Sequence, residues 1–287
     1  MLNKNILILG ASGMLGSSVL RLFSESTDNA VTGSVQSKNS IRLLPEKIRN
    51  FVIAGIDVKE ADLLTKLLDQ VQPDIVINCV GLVKQLSDVN DPLVALPINS
   101  LFPHRLAQMC ASVNARLIHI STDCVFTGKK GMYSEDDVTD AQDLYGVSKR
   151  LGEVDYPNAI TLRTSIIGHE LEGHRSLISW FLNQKGAVKG FKQAIFSGLP
   201  TIEIARIIRD YVIPNPDLTG VYHVSSEPIN KYDLLCLVAD IYQKDIKIIE
   251  DHQYKIDRSL DSTKFRNATG FKPDVWPDMI KSMRDFN

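Results

Sequence analysis

A glycine-rich turn near the N-terminus constrains what this chain can fold into more than any other feature. The sequence GASGMLG at residues 10–16, with the spacing GxxGxxG, follows the apolar run of residues 6–9 and precedes a stretch with helical spacing. In a strand-turn-helix unit, Gly10 permits the tight turn, Gly13 lets the backbone approach a phosphate, and Gly16 lets the helix pack closely on the strand. Unpaired amides at the start of the helix attract an anion. The turn therefore predicts a pyrophosphate site for a dinucleotide, formed by Gly10, Ser12, Gly13, Met14, Leu15 and Gly16.

Apolar runs and amphipathic stretches alternate along the first part of the chain. The runs predict strands at residues 6–9, 31–35, 51–53, 75–78, 117–120 and 160–162. The stretches between them predict helices at residues 14–24, 61–71, 101–113 and 145–154. This alternation is typical of an α/β protein with a Rossmann-type, doubly wound parallel sheet and right-handed crossovers. We expect an NAD(P)-binding Rossmann domain at residues 1–164, and a smaller C-terminal α/β substrate lobe at residues 165–287 that is partly interleaved with it.

Composition and charge exclude several classes of protein. The chain has 287 residues, of which 44% are hydrophobic and 23% charged, as in a globular protein that can bury a sizeable core. The formal charge of −2, with no basic cluster, argues against nucleic acid or a membrane surface as partner. The first apolar run is too short for a membrane span, and no signal-peptide cleavage site follows it. Four cysteines without close pairing predict reduced thiols in the cytoplasm: Cys79, Cys110, Cys124 and Cys236.

The end of the second predicted strand bears on the choice of cofactor. In NAD-binding domains an acidic residue at this position hydrogen-bonds the ribose hydroxyls, whereas this chain has Val35 at that position. The neighbouring polar side chains could hydrogen-bond a 2′-phosphate: Ser34, Gln36, Ser37 and Lys38. We therefore expect NADP(H) to be preferred, and because no arginine follows the strand directly, use of NAD(H) stays open.

Three residues form a candidate catalytic group. Tyr145 and Lys149 are four residues apart on a predicted helix, which places phenol and ammonium on one face. We expect the Lys149 charge to lower the pKa of the phenol, so that Tyr145 serves as a general acid. Thr122 ends a buried strand at the sheet edge where such folds bind ligands, and its hydroxyl can donate to the same substrate oxygen. The group predicts reduction of a carbonyl by hydride from a nicotinamide.

Together these segments resemble the extended short-chain dehydrogenase/reductases of the dTDP-4-dehydrorhamnose reductase family. The resemblance covers about the first 170 residues and rests on GASGMLG, Asp57-Val58, NCVG at residues 78–81, Asn99 in PINS, STDCVFTGKKGMYSEDD, LYGVSKRLGE and LRTSIIG. It implies NAD(P)H-dependent reduction of a 4-keto-6-deoxy sugar linked to dTDP or UDP, in deoxysugar and surface polysaccharide (O-antigen) biosynthesis. It also implies that Thr122, Tyr145 and Lys149 are catalytic, and it leaves a homodimer open. The resemblance also adds cofactor-binding residues. Asp57 and Val58 would contact the adenine, and Cys79, Val80 and Gly81 would line the cofactor after the fourth strand. Asn99 would support the site, Tyr145 would contact the cofactor, and Lys149 would hold the nicotinamide ribose.

Asp123 and Cys124 are the candidate substrate-binding residues, because they directly follow Thr122. On an extended segment Cys124 would point the same way as Thr122. GDP-fucose synthase, a related bifunctional epimerase-reductase, has a cysteine at the corresponding place that moves protons beside the ketone. We favour the alternative that Cys124 fills space usually taken by an aromatic ring, and therefore predict reduction without epimerisation.

Other readings of the same fold are weaker but stay open. A nucleotide-sugar dehydratase would follow the threonine with an Asp-Glu pair, and here Cys124 follows Asp123. A 4-epimerase would hold NAD through the second-strand acid. A bifunctional epimerase-reductase and a regulatory subunit that binds cofactor without turnover are the remaining alternatives, since fold alone does not decide function.

Two further patterns are better read as ordinary surface. His169 and His174 are five residues apart and would not share a helical face, so we predict no metal site and a surface loop near the substrate cleft. The lysines of the second half are expected to be solvated and not to hold a pyrophosphate: Lys185, Lys189 and Lys192.

Overall fold

The computed structural model describes residues 3–26, 29–84 and 87–287. In chain order its strands are β1 Asn5–Leu9, β2 Ala30–Val35, β3 Val52–Ala54, β4 Ile75–Asn78, β5 Arg116–Thr122, β6 Ala159–Thr164, β7 Ile166–Ile167, β8 Ala187–Phe191, β9 Ala194–Phe196, β10 Leu199–Pro200, β11 Gly220–His223, β12 Ile229–Asn230, β13 Lys247–Asp251 and β14 Ile256–Asp257. Its α-helices are α1 Met14–Ser26, α2 Ala61–Val71, α3 Pro92–Ala95, α4 Phe102–Ser112, α5 Leu144–Leu151, α6 Leu177–Asn183, α7 Thr201–Ile207, α8 Lys231–Ile241, α9 Thr263–Thr269 and α10 Trp276–Asp285. Shorter 3-10 helices lie at Lys38–Leu43, Glu46–Phe51, Ser87–Asn90 and Asp123–Val125, and π-helical turns at Leu96–Leu101 and Ile208–Val212.

Seven parallel strands form the central sheet, in the order β11-β6-β5-β4-β1-β2-β3. The chain runs from β1 outward through β2 and β3, then returns to place β4 on the other side of β1. Ligands bind at the carboxyl ends of the strands where the order reverses in this way. The predicted α/β class with a Rossmann-type parallel sheet is confirmed, and the reversal point lies where the glycine turn leaves β1.

Side chains of β1 alternate between two cores on opposite faces of the sheet. Ile6 and Ile8 pack in a cluster that contains Phe23 of α1, and this cluster continues into the second half of the chain. Leu7 packs in a second cluster with Leu106 of α4. All of these side chains are fully buried, and each contributes about 1.5–3 kcal/mol relative to exposure. The sheet that carries the turn is therefore anchored on both faces.

The segment after residue 164 contributes to both parts of the molecule. Its strand β11 joins the central sheet beside β6, and α7 packs on α1 with a 2.8 Å hydrogen bond from Ser18 Oγ to Thr201 Oγ1. Its remaining strands form three small sheets: β7 with β10, β8 with β13, and β9 between β12 and β14. The domain boundary between residues 164 and 165 stays a prediction. Strand β11 and helix α7 come after it in the sequence but pack against the first domain.

Helix bounds differ from the sequence-based expectation at α4. The helix predicted at 101–113 continues a helical segment that begins at Pro92 and passes through the π-helical turn Leu96–Leu101. Pro97 within this turn has no N–H to donate, which weakens the regular hydrogen-bond ladder there. None of the helices in the three described ranges is long and apolar enough to cross a membrane.

Candidate functional site

The turn between β1 and α1 needs glycine at two positions for different reasons. Gly10 has φ = 79°, and a Cβ there would lie 3.0 Å from Val80 Cγ2. A Cβ on Gly16 would lie 2.1 Å from the Gly10 carbonyl oxygen, so any side chain would separate α1 from the turn. Gly13 N–H closes the turn on Gly10 O at 3.0 Å, and residues 12–14 are half-buried or exposed. The start of α1 is therefore partly open to solvent, as a pyrophosphate site at a helix N-terminus requires.

An acid does lie beside the end of β2, although it comes from the segment that follows the next strand, β3. Asp57 Oδ2 accepts a 3.1 Å hydrogen bond from Gln36 Nε2, and Oδ1 accepts one of 3.0 Å from Lys59 N–H. Partial burial acts to raise the pKa of Asp57, but these hydrogen bonds outweigh it and hold the pKa below its usual value. Ser37 Oγ accepts from Asn39 N–H at 3.1 Å as a helix cap, so it is partly occupied. The groups expected at the adenosine end of a cofactor therefore include one ionised carboxylate.

The loop after β4 is tied to helix α5 by Asn99. Its Oδ1 accepts from Leu82 N–H at 2.9 Å, and its Nδ2 donates to Ser148 Oγ of α5 at 3.1 Å. A Cβ on Gly81 would lie 3.6 Å from Lys149 Nζ, so this loop lies next to the buried ammonium. Asn99 is fully buried inside the π-helical turn, a feature often found at functional sites.

Beneath that loop, Asn78 orients Val80 and His119. Asn78 Oδ1 accepts from Val80 N–H at 3.0 Å, which leaves its Nδ2 to donate to His119 Nδ1 at 3.1 Å. Burial and the Lys149 charge hold the pKa of His119 well below its ordinary value, so no second cation lies under Lys149. Burial also raises the pKa of the Cys79 thiol to about 12, so Cys79 lines the site as an uncharged side chain.

Helix α5 begins against the end of β5 because two local contacts hold it there. Asp143 caps the helix, accepting from Gly146 N–H at 2.9 Å. A Cβ on Gly146 would lie 2.4 Å from the Cys124 carbonyl oxygen, so only glycine allows this approach. The close packing puts Tyr145 directly beside Thr122.

The structure brings Thr122, Tyr145 and Lys149 together. Thr122 is the last residue of β5, and Tyr145 lies within hydrogen-bonding reach of its hydroxyl. Thr122 Oγ1 accepts from Cys124 N–H at 3.1 Å and donates to Asp123 Oδ1 at 3.2 Å. Lys149 Nζ donates to the Ile120 carbonyl oxygen at 2.8 Å, which fixes α5 to the same strand. A phenol, a hydroxyl and an ammonium thus converge at the carboxyl edge of the sheet.

The pKa of Tyr145 differs from the sequence-based expectation. In the protein alone, burial raises the pKa of the phenol above its ordinary value, and the nearby Cys124 acts in the same direction. The expected lowering by Lys149 does not outweigh this effect of burial. Burial also lowers the pKa of Lys149 itself, to about 8, against the opposing charge of Glu153. Tyr145 is therefore a protonated acid at neutral pH.

Cys124 does not lie on the extended segment that the sequence suggested. Asp123–Val125 forms a 3-10 turn that Thr122 caps, so the expectation that Cys124 points the same way as Thr122 by strand alternation was wrong in its premise. Burial and the neighbouring Asp123 raise the pKa of its thiol to about 12. The thiol therefore stays neutral near pH 7 and is a poor base.

Sequence reasoning missed two cations of the C-terminal lobe that face this turn. Burial raises the pKa of Asp123, and the charges of Arg258 and Lys231 oppose that rise. Both cations are more than 100 residues from Thr122 along the chain, and no motif connects them to it. Asp143 was missed as well, although the sequence indicates its role. It stands three residues before Gly146 at a predicted helix start, which is the position of a helix cap.

The histidines and lysines that the sequence predicts to be ordinary surface residues differ in their contacts. His169 Nε2 hydrogen-bonds Tyr242 Oη at 2.8 Å, while His174 is exposed. Lys185 is exposed, and Lys189 and Lys192 form ion pairs with Asp251 and Asp233. In the described part of the chain, no three His, Cys, Asp or Glu side chains cluster in a way that could hold a metal ion.

Comparison with known proteins agrees with this architecture. Methionine adenosyltransferase 2 subunit beta of Mus musculus is 24% identical over an alignment of 310 residues that covers 97% of this chain and 89% of the relative. The dTDP-4-dehydrorhamnose reductase of Aggregatibacter actinomycetemcomitans is 24% identical, with 98% of each chain covered. The crystal structure of dTDP-4-dehydrorhamnose reductase from Bacillus anthracis in complex with NADP has the same fold, with a TM-score of 0.78, 16% identity and full coverage of both chains. The model of the RmlD substrate binding domain family matches residues 4–285, and the chain therefore belongs to that family.

Proposed function

We propose that the protein is an NAD(P)H-dependent reductase of a 4-keto-6-deoxy sugar linked to dTDP or UDP. The observation that carries this proposal is the convergence of Thr122, Tyr145 and Lys149 at the sheet edge beside the glycine turn. The family match and the similarity to a dTDP-4-dehydrorhamnose reductase support the choice of substrate class. NADPH is the proposed preferred cofactor and NADH the alternative, with a related fold known in complex with NADP.

In this mechanism the chain's own residues handle the proton and the developing negative charge. When bound, the nicotinamide supplies the hydride. Tyr145 donates its proton to the ketone oxygen, a role typically worth about a hundredfold or more in rate. Thr122 turns its hydroxyl hydrogen from Asp123 to the same oxygen, and such a donor contributes about 3 kcal/mol to stabilising an alkoxide. Lys149, whose ammonium lies beside Gly81, would hold the nicotinamide ribose and supply a positive charge to the site.

The direct test is oxidation of NADPH, followed by its absorbance, with dTDP- and UDP-linked 4-keto-6-deoxy sugars. We expect turnover with one of these substrates and none with the corresponding sugar that lacks the ketone. Absence of turnover with every keto sugar, in protein shown to bind NADPH, would remove the reductase proposal.

A second candidate is a regulatory subunit that binds cofactor without turnover. The similarity to methionine adenosyltransferase 2 subunit beta over 97% of the chain favours it. It predicts tight NADPH binding, no NADPH oxidation with the sugar panel, and assembly with a separate catalytic subunit. The buried triad favours the reductase over this candidate.

The proposal also includes a cytoplasmic location and leaves a homodimer to be tested. Cys79, Cys110, Cys124 and Cys236 are all free thiols, as is usual in a reducing compartment. Cell fractionation tests the location, and light scattering of the purified protein tests the oligomeric state.

A further inference from the structure

The last carbonyl groups of helix α5 obtain part of their hydrogen bonding from another segment of the chain. The helix ends at Leu151, two residues after Lys149, and the last four carbonyls of a helix have no N–H partner within it. The first of these four, the Ser148 carbonyl oxygen, accepts a 2.8 Å hydrogen bond from the hydroxyl of Ser100. Both serines are buried. Ser100 therefore supplies a bond that the helix cannot make by itself.

This bond replaces the one that Gly152 would make in a longer helix. In a regular α-helix the Gly152 N–H would donate to the carbonyl of Ser148, four residues earlier. It donates instead to the Lys149 carbonyl oxygen at 3.1 Å, which tightens the last turn at the lysine. A Cβ on Gly152 would overlap the Asn99 carbonyl oxygen, so this end of α5 lies directly against the segment that carries Ser100. The helix can therefore stop just after Lys149 without leaving the Ser148 carbonyl unpaired.

Asn99 and Ser100 are neighbours in the π-helical turn Leu96–Leu101, and both bind the same residue of α5. Asn99 Nδ2 donates to Ser148 Oγ at 3.1 Å, whereas Ser100 Oγ donates to the carbonyl oxygen of Ser148. Ser148 Oγ in turn donates to the Tyr145 carbonyl oxygen at 2.9 Å. Consecutive side chains of an α-helix point about 100° apart, and the irregular π turn brings two of them to one partner. The turn thus holds α5 at two points, one on a side chain and one on the backbone.

The position of the Lys149 ammonium depends on this end of the helix. Lys149 is buried, and its Nζ donates to the Ile120 carbonyl oxygen at 2.8 Å. A buried carbonyl without a donor is unfavourable, so without the Ser100 hydroxyl the last turn would rearrange to recover one. Gly152 N–H is the donor that a regular helix would use, and its return to the Ser148 carbonyl would undo the tight turn at Lys149.

We propose that Ser100 is a positioning residue, which sets the place of the Lys149 ammonium by ending α5 directly after it. This inference rests on the proposed function, because it concerns the residue that would hold the nicotinamide ribose. Ser100 acts through the Ser148 carbonyl and not on the substrate. Its loss should weaken binding of the nicotinamide half of the cofactor and slow the reduction. The adenosine half should be unaffected, since it would bind near Asp57, which follows β3 on the other side of β1.

The test compares NADPH with adenosine 2′,5′-bisphosphate, which lacks the nicotinamide ribose. Calorimetry gives both affinities for wild type, Ser100→Ala and Ser100→Thr, and NADPH oxidation with the 4-keto sugar gives kcat and KM. We expect Ser100→Ala to weaken NADPH binding and to lower kcat by about tenfold each, which corresponds to one charge-assisted hydrogen bond from Lys149. The affinity for the bisphosphate and the KM for the sugar should stay within about twofold of wild type, a factor worth little free energy. Ser100→Thr keeps the hydroxyl and should recover most of both losses.

Asn158→Ala is the matched control. Asn158 Nδ2 donates to the Ala107 carbonyl oxygen of α4 at 3.0 Å, just before β6 begins and thus at the opposite edge of the sheet. The change also removes a side-chain bond to a helix carbonyl, but one that does not involve α5. It should lower the free energy of unfolding in a denaturant titration and leave NADPH affinity and kcat unchanged.

Other results overturn the positioning role. NADPH affinity and kcat within twofold of wild type in Ser100→Ala would do so, as would equal losses for NADPH and the bisphosphate, an equal loss in Asn158→Ala, or a folded Ser100→Thr variant that recovers neither quantity. If Ser100→Ala does not fold, Ser100→Cys takes its place, because a thiol is a weak donor of similar size. If neither variant folds, the hydroxyl serves stability alone and the proposal is wrong.

Failure of this inference is distinguishable from failure of the proposed function. Oxidation of NADPH by wild type, together with unaffected Ser100 variants, removes the positioning role and leaves the reductase. A loss of NADPH affinity confined to the nicotinamide half, in a protein that reduces no keto sugar, does the reverse.

Discussion

Glu153 and Arg163 form a buried bidentate ion pair next to the end of helix α5. Arg163 Nε and Nη2 each donate to one carboxylate oxygen of Glu153 at 2.7 Å, and both side chains are less than a tenth exposed. Ser121 Oγ, one residue before Thr122, donates to the same carboxylate at 2.7 Å. The pair therefore ties the segment just after α5 to β5 and β6, and it places a negative charge four residues after Lys149.

Glu153→Gln should destabilise the protein strongly, because it leaves the Arg163 guanidinium buried without its counter-charge. We expect the free energy of unfolding to fall by about 3–5 kcal/mol, measured by denaturant titration. Glu227→Gln is the matched control, since it removes an ion pair with Arg266 in which Glu227 is 69% exposed, and such pairs contribute about 0.2–1 kcal/mol. Equal losses in the two variants would contradict the structural role of the buried pair.

The catalytic efficiency should fall as the pH rises through about 8. Burial lowers the pKa of Lys149 to about 8, so its ammonium is charged below this pH and is lost above it. A profile that is flat up to pH 10 would exclude a charged Lys149 from the reaction.

Tyr145→Phe should lower turnover about a hundredfold or more and leave NADPH affinity nearly unchanged, because the phenol acts as the proton donor. Stopped-flow or steady-state NADPH oxidation gives the first quantity and fluorescence titration the second. Tyr156→Phe is a suitable control, since Tyr156 Oη contacts His104 at 3.0 Å, away from Thr122. Wild-type turnover in the Tyr145 variant would remove this residue from the mechanism.

NADPH should be used with higher kcat/KM than NADH, because Val35 stands where an acid would grip the ribose of NAD. Asp57 limits the preference, since its ionised carboxylate lies 3.1 Å from Gln36 Nε2 at the same edge. Asp57→Asn should therefore raise the ratio of NADPH to NADH efficiency several-fold, while Asp69→Asn, an exposed change on α2, leaves the ratio unaltered. A clear advantage for NADH in the wild type would refute this preference.

Reduction in D₂O should place no deuterium at C3 or C5 of the sugar, because the Cys124 thiol has its pKa raised to about 12 and stays protonated. Mass spectrometry and proton NMR of the product provide the measurement. Cys124→Ser should keep most of the activity, because on this hypothesis the side chain at position 124 fills space and takes no part in proton transfer. Deuterium at either carbon that disappears in this variant would instead identify an epimerase-reductase.

The sequence by itself determined the features that depend on near neighbours along the chain. The alternation of apolar runs with amphipathic stretches predicts a parallel α/β sheet, because the apolar runs are typical of buried strands and the helical spacing is typical of helices. Gly10 and Gly16 predict the cofactor turn, and Tyr145 and Lys149 predict one helical face, because these spacings translate directly into local geometry.

Tertiary structure decided what depends on burial and on distant contacts. The 3-10 turn at Cys124 replaces an expected strand because Thr122 caps it, and the pKa of Tyr145 rises because the fold removes the phenol from water. The register of β12 and β14 on β9 brings Lys231 and Arg258 to the catalytic edge, although the sequence separates them from Thr122 by more than 100 residues. Local spacing carries no information about such pairings, because strand register and desolvation are properties of the packed chain as a whole.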